Sequence, residues 1–185
     1  YRIITLASGN TNIKVDAFII LKDNVRASAK DTLNYFKHQD VEIKIISGDN
    51  PVTVSNILRQ LEFDGYDRFI EGKDLPKDYD ELVKVVKEIT IFGRMTPSDK
   101  QKVIKALKEN NTVSMIGDGV NDILALKEAD CGIALGSGVG AAKSVSELVL
   151  TNNDFSTLPG IVNEGRRVVN NIERVASMYL IKTTY

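Results

Sequence analysis

The densest group of side chains that could do chemistry lies in Met115-Ile116-Gly117-Asp118-Gly119-Val120-Asn121-Asp122. Two glycines bracket Asp118 where an apolar run ends, so the backbone can turn sharply and approach a ligand. Asp118 and Asp122 lie four residues apart with Asn121 between them, so three oxygen-bearing side chains could converge. Such oxygen ligands suit Mg²⁺, which needs only one or two protein carboxylates beside a phosphate. A polar turn whose aspartate caps the next helix explains these residues equally well.

A second polar segment, Ser47-Gly48-Asp49-Asn50, also follows an apolar run. The hydroxyl of Ser47 and the backbone N–H of Gly48 could both donate to a phosphoryl oxygen, as groups at helix starts do. These four residue types are also common in turns, and for this segment alone an ordinary turn is the better explanation.

Lys100 is a candidate phosphate-binding cation because it lies near the start of a helix predicted to begin at Pro97. A cation at a helix start opposes the helix dipole, so a partner anion would help to explain it. The same helix carries Lys102, Lys105 and Lys108, so a solvated surface lysine is the alternative.

Strands and helices are predicted to alternate around these segments. Period-2 and apolar runs predict strands at 2–7, 14–21, 42–46, 90–92, 112–116, 131–135 and 148–151, with a short strand within 65–80. Helical spacing predicts helices at 27–39, 80–89 and 121–127, helices beginning at Pro51 and Pro97, and a helical pattern from about Ser156 to the end.

This alternation predicts an α/β fold, with a mostly parallel sheet in a three-layer, Rossmann-like arrangement, helices on both faces and a long C-terminal helical segment. In such sheets ligands bind beyond the carboxyl ends of the strands. We therefore expect 47–49 and 117–122, which both directly follow strands, to share one site.

The composition excludes several function classes. The chain has 185 residues, 43% of them hydrophobic and 26% charged, with a formal net charge of −1, so nothing indicates a nucleic acid partner. Its single cysteine, Cys131, rules out an internal disulfide framework. We find no signal peptide and no apolar run of about twenty residues that would span a membrane. The missing initial Met and the uncapped helical ending predict a piece excised from a longer protein.

Three motifs in order carry a resemblance: Ser47-Gly48-Asp49, Gly93-Arg94-Met95-Thr96-Pro97-Ser98-Asp99-Lys100 and Ile116-Gly117-Asp118-Gly119-Val120-Asn121-Asp122. They resemble the haloacid dehalogenase superfamily and, within it, the phosphorylation domain of P-type cation-transporting ATPases. The likeness continues through 124–134, 141–143, 149–150, 165–167 and 170–172, with an upstream Asp23-Asn24-Val25-Arg26 segment. It covers nearly the whole chain and implies a haloacid-dehalogenase-like fold. The ending, 174–185, looks most like bacterial calcium-type or general cation pumps.

The resemblance implies roles for the matching residues. The implied metal ligands, for Mg²⁺, are Asp118 and Asp122. The implied catalytic and phosphate-binding groups are Ser47, Gly48, Asp49, Lys100 and Asn121. Asp23 and Arg26 would belong to a hinge near the nucleotide, which is ATP. The family usually has Thr where this chain has Ser47, and the hydroxyl is kept.

The chain departs from the family in lacking its nucleophile, the aspartate of an Asp-Lys-Thr-Gly string. In the family this aspartate precedes an inserted nucleotide-binding domain. We therefore expect 1–22 to be the last strands of that domain, 23–157 the phosphorylation domain, and 158–185 a helix leading to a membrane segment. Covalent catalysis needs the carboxylate itself, so the chain alone is expected to be inactive as an ATPase.

The implied parent is an integral membrane pump that binds ATP and a cation, with this soluble part on the cytoplasmic face. Two alternatives stay open. One is a soluble phosphatase of the same superfamily, against which the motif ending at Lys100 and the helical tail argue. The other is a non-catalytic module that binds Mg²⁺ or phosphate and has lost its nucleophile.

Overall fold

The computed structural model describes residues 2–9, 12–21, 26 and 28–184. An antiparallel hairpin of β1 (Arg2–Ser8) and β2 (Lys14–Leu21) comes first. Strands and helices then alternate in the described chain as α1 (Ser28–Lys37), β3 (Ile45–Ile46), α2 (Pro51–Gln60), β4 (Phe69–Glu71), α3 (Tyr79–Glu88), β5 (Ile91–Gly93), α4 (Pro97–Lys108), β6 (Ser114–Gly117), α5 (Ile123–Glu128), β7 (Cys131–Leu135), α6 (Gly140–Val145), β8 (Leu148–Leu150) and α7 (Leu158–Thr184). Short 3-10 turns lie at Gly72–Asp74, Val120–Asp122 and Phe155–Thr157.

The strands after the hairpin all pair in parallel. Their order is β3-β5-β4 in one sheet and β6-β7-β8 in another. The parallel pairing, the flanking helices and the long α7 confirm the predicted α/β class. The hydrogen bonds divide these strands into two three-stranded sheets, in which β3 and β6 are edge strands.

One continuous core joins the two sheets. A first cluster is built from α3, α4 and β5 and a second from α4, α5, α6 and β6. Ile46 of β3 and Val113, just before β6, pack against both clusters. Because these two side chains are shared, the sheets are held together by apolar packing.

Successive residues of β6 show that helices cover both faces of its sheet. Met115 packs in the cluster with Leu126 of α5, whereas Ile116 packs against the cluster that contains Leu158 of α7. Phe36 of α1 joins this second face. Side chains alternate across a strand, so the two neighbours necessarily point to opposite layers.

Besides shifts of one or two residues at element ends, two sequence predictions differ from the structure. The strand predicted at 42–46 is paired only at Ile45–Ile46. The Lys44 ammonium just before it donates to the carbonyls of Lys87 and Ile89, at 2.9 and 2.7 Å, and so satisfies the end of α3. Helix α6 was not predicted, because it is only six residues long and Ala142 is its only fully buried residue, too little to show helical periodicity.

Both strands of the hairpin and the long helix α7 leave many apolar side chains exposed. Every residue of β2 is exposed, including Phe18 and Ile20. In α7 the side chains from Asn163 to Lys182 are all exposed, with Met178 72% accessible. Among the described residues, no helix combines the length and the apolar character that a membrane crossing requires.

The carboxylate of Asp130 connects the starts of β6 and β7, which gives a testable pH dependence. It accepts a hydrogen bond from Val113 N at 2.8 Å and pairs with Lys108 Nζ at 3.2 Å. The Val113 hydrogen bond, aided by Lys108, holds the pKa of Asp130 below its ordinary value of 3.8. This stabilisation is therefore fully present above pH 3.8 and is lost as the pH falls through the lower folded-state pKa.

We expect Asp130→Asn to lower the free energy of unfolding at neutral pH and to reduce its loss on acidification. Urea unfolding at about pH 7 and about pH 3 measures both effects. Asp80→Asn, on the exposed surface of α3, is the matched control. A variant that loses as much stability between the two pH values as the wild type does would contradict this role of Asp130.

Candidate functional site

A cavity of about 320 Å³ lies where the carboxyl ends of β3 and β6 approach each other. Its lining combines apolar and polar residues: Ile46, Ser47, Gly48, Lys100, Met115, Ile116, Gly117, Asp118, Asp122 and Leu135. Both polar segments predicted to share a site therefore contribute to one cavity, at the strand ends where ligands bind in such folds.

A buried ion pair forms the floor of the polar side of this cavity. Lys100 Nζ donates to Asp122 Oδ1 at 2.7 Å, and the two side chains are only 8% and 12% exposed. Lys100 lies in the first turn of α4, whose N-cap is Thr96 in a capping box with Asp99. A lysine at a helix start opposes the helix dipole and needs a partner anion, and here the Asp122 carboxylate is that anion.

The second oxygen of Asp122 orders the backbone around Asp118. Asp122 Oδ2 accepts from Asp118 N at 3.3 Å and from Gly119 N at 3.2 Å. Gly117 makes this fold-back possible, since a Cβ there would lie 2.6 Å from the Cβ of Asp122. Lys100 and these N–H groups thus engage both carboxylate oxygens of Asp122.

The side chain of Asp118, unlike the buried and paired side chain of Asp122, is open to solvent. Its side chain is exposed at the cavity, and no hydrogen bond to its carboxylate is found within the described residues. Its carbonyl accepts from Val139 N at 3.0 Å. A Cβ at Gly138 would come within 2.8 Å of that same carbonyl oxygen. The backbone of Asp118 is therefore fixed on both sides while its carboxylate faces open space.

The Ser47 turn is held by β5 and by its own hydroxyl. Ser47 N donates to Phe92 O at 2.8 Å, and Ser47 O accepts from Met95 N at 3.0 Å. Ser47 Oγ accepts from Asp49 N at 3.1 Å, which leaves the hydroxyl proton able to point at a ligand. A Cβ added to Gly48 would meet no atom within 4 Å, so the space beside it is open.

The structure brings together five of the predicted site residues and places three others, Asp49, Asn121 and Arg26, outside the cavity lining. Asp49 and Asn121 are exposed and do not line the cavity. Arg26 also lies outside the lining and donates from Nη1 to the carbonyl of Asn153 at 2.5 Å. Asp23 lies outside the described residues.

The cavity offers few protein ligands for a metal ion, but few are enough for Mg²⁺. In the part of the chain that the structure describes, no three His, Cys, Asp or Glu side chains are grouped around one point. Mg²⁺ keeps several waters and is usually held by one or two carboxylates and a phosphate. Of the two predicted ligands, Asp118 has its carboxylate available, whereas that of Asp122 is occupied by Lys100 and two backbone N–H groups.

Sequence reasoning missed the segment behind Asp118. Ser137 N donates to Asn153 Oδ1 at 2.6 Å, which ties the turn after β7 to the turn after β8. Asn153 has a φ of 55°, in the left-handed region. The Asn152-Asn153 pair is a turn signal that could have located this position, but only the fold shows what it contacts.

Comparison with known proteins identifies the fold family. The family model described as haloacid dehalogenase-like hydrolase matches residues 3–130. In a crystal structure of a zinc-transporting PIB-type ATPase in the E2.Pi state, 23% of that chain superposes on 88% of this one. The TM-score is 0.67 and the sequence identity 25%.

Sequence relatives narrow the comparison. The calcium-transporting ATPase CtpE of Mycobacterium bovis is 43% identical over 196 residues, which cover 100% of this chain and 24% of that protein. The probable cation-transporting ATPase exp7 of Streptococcus pneumoniae is 45% identical over 176 residues, covering 95% of this chain and 22% of that one. The chain thus spans about a quarter of the length of these relatives. It belongs to the haloacid dehalogenase-like hydrolase family, as a domain of the P-type cation-transporting ATPase kind.

Proposed function

We propose that this chain is the part of an ATP-driven cation pump that binds Mg²⁺ and the phosphoryl group during the phosphorylation cycle. The observation that carries the proposal is the convergence of Ser47, Gly48, Lys100 and Asp118 on one cavity at the strand ends. The two relatives are named as calcium- and cation-transporting ATPases, so ATP is the proposed phosphoryl donor and calcium the first cation to test.

The roles follow from the chemistry of each group. The Ser47 hydroxyl and the Gly48 N–H donate to oxygens of the phosphoryl group, as P-loop-like turns do at strand ends. Lys100 offsets the negative charge of that group from the floor of the cavity. Asp118 is the proposed Mg²⁺ ligand, and the ion would supply further charge neutralisation when bound. Asp122 positions Lys100 and the Asp118 backbone.

The nucleophile is proposed to reach this cavity from outside the sequence described here. The chain has no Asp-Lys-Thr-Gly string. The edge strands β3 and β6 both end at the cavity, so a strand lying between them would carry a carboxylate towards Ser47 and Lys100. Without that carboxylate, the groups present can orient and stabilise a phosphoryl group but cannot form the covalent intermediate. The chain alone is therefore proposed to be inactive.

The proposed division of the chain matches this function. Residues 1–22 contribute strands to a nucleotide-binding domain, 23–157 form the phosphorylation domain, and 158–185 lead to a membrane segment of the parent. The exposed apolar side chains of β2 and of the far part of α7 support the division, because both surfaces need covering in a larger protein. The domain would work on the cytoplasmic face of the membrane, where ATP is available.

We expect Asp118→Asn in the full-length pump to abolish Mg²⁺-dependent formation of the acid-stable phosphoenzyme, because the metal loses its charged ligand. The assay follows radioactive phosphate from ATP into acid-precipitated protein. Asp80→Asn, far along the chain on α3, is the matched control and should retain the wild-type level. Wild-type phosphoenzyme in the Asp118→Asn protein would refute the assignment, and ATP hydrolysis by the 185-residue chain alone would refute its proposed inactivity.

The Lys100–Asp122 pair also predicts a stability effect. Asp122→Ala should lower the free energy of unfolding by about 3 kcal/mol, because it leaves the Lys100 ammonium buried without its partner. Urea unfolding measures the change. Glu164→Ala is the matched control, since Glu164 and Arg167 are 2.6 Å apart but 57% and 71% exposed. That exposed pair should contribute no more than about 0.5 kcal/mol. Equal effects of the two substitutions would show that the burial of Lys100 does not matter.

A further inference from the structure

We propose that Asn153 is a positioning residue, which fixes the loop behind Asp118 and is itself held by Arg26. The proposal deepens the proposed function, on which its metal-binding part rests. Asn153 follows β8, whereas Asp118 follows β6, so the link crosses the sheet through the turn after β7. The three elements therefore act on one another through contacts at their carboxyl ends.

Asn153 is the point at which two other segments meet. Its carbonyl accepts from Arg26 Nη1 at 2.5 Å, and its side-chain Oδ1 accepts from Ser137 N at 2.6 Å. Its φ of 55° lies in the left-handed region, which asparagine tolerates better than most residues. Replacing Asn153 by most other residues would therefore disturb both the left-handed backbone and the side-chain acceptor for Ser137 N.

The loop that Asn153 holds, residues 136–138, directly contacts Asp118. Gly136 N donates to Leu150 O at 2.8 Å, which fixes the start of the loop on β8. At its end, Gly138 packs so closely that a Cβ would lie 2.8 Å from Asp118 O. The next residue, Val139, donates its N–H to that carbonyl at 3.0 Å.

A continuous path therefore runs from Arg26 to the proposed metal ligand. Each step is a hydrogen bond or a backbone contact, and residues 136–138 form the only stretch of chain within it. Arg26 lies in the segment between β2 and α1, on the path along which the hairpin connects to the rest of the chain. The position of Arg26 is thus coupled to the backbone that carries the Asp118 carboxylate.

The test separates the two contributions of Asn153. Asn153→Gly keeps a backbone that adopts positive φ but deletes the acceptor for Ser137 N–H. Asn153→Asp keeps an acceptor oxygen and should restore wild-type behaviour. Asn152→Gly is the matched control, because the hydrogen bond that the Asn152 side chain makes within the described residues is local: it accepts from Asp154 N at 3.2 Å, in its own turn.

The first readout is amide hydrogen exchange measured by NMR on the 185-residue chain without any ligand. In Asn153→Gly we expect exchange at Ser137 and at Val139 to accelerate about fivefold or more, as loss of one hydrogen bond loosens the whole loop. Asn153→Asp and Asn152→Gly should exchange at these positions like the wild type. Acceleration at Ser137 alone, with Val139 unchanged, would overturn the proposal.

The second readout is a titration with MgCl₂, followed at the amides of Asp118 and Gly119. Asn153→Gly should bind Mg²⁺ about tenfold more weakly, the lower end of the range for supporting residues of metal sites. Equal affinity in wild type and variant would overturn the positioning role. If Mg²⁺ shifts neither amide in the wild type, the proposed metal site fails, while the exchange measurement still decides the loop.

Arg26→Ala tests the other end of the path. It removes the bond to the Asn153 carbonyl and should accelerate exchange at Ser137 by a smaller factor than Asn153→Gly does. Unchanged exchange at Ser137 would overturn the assignment of Arg26 to this path.

Discussion

The buried ion pair of Lys100 and Asp122 is the interaction on which the candidate site depends. Neither charge could stay in this half-apolar cavity alone, because an unpaired buried ion costs several kcal/mol, of the order of 3–5. The ion pair connects the start of α4 to the 3-10 turn before α5. These two elements are separated in the sequence and come into contact through tertiary packing. The second oxygen of Asp122 then holds the backbone N–H groups of Asp118 and Gly119. The Asp122 carboxylate thereby sets the position of the Lys100 ammonium and of the exposed Asp118 carboxylate.

The pair is stable where it is because the fold brings two sheet edges together. Ile46 and Val113 each pack on two apolar clusters, so the edges β3 and β6 are held at a fixed separation by the core. The cavity then lies where strand ends from both sheets converge. Rigid surroundings of this kind suit a site that must stabilise charge, since its dipoles need no reorganisation when the charge arrives.

The sequence alone predicted the order and type of most elements, because turn residues such as Ser47 and Gly117 punctuate strong apolar runs. It also predicted that these two turns share a site, from the rule that parallel strands present their carboxyl ends on one side. It did not predict that the Asp122 carboxylate would pair with Lys100, because the two residues are 22 positions apart and the segment between them carries no local signal of contact. The link through Asn153 was missed for the same reason: hydrogen bonds to backbone atoms leave no pattern in side-chain types. Helix α6 was missed because it buries too little to show periodicity.

The exposed stretch of α7 has a mechanical consequence. Tyr35 of α1 donates to Asn163, and Gln39, in the turn after α1, accepts from Arg166, so α7 is held by contacts within its first third. The helix continues from Arg166 to Thr184, a length of about 27 Å at 1.5 Å per residue. A tilt of about 10° at Arg166 would move the far end by about 5 Å, close to one helical turn. A small change in the angle of α7 at these contacts would therefore produce a large displacement at its far end.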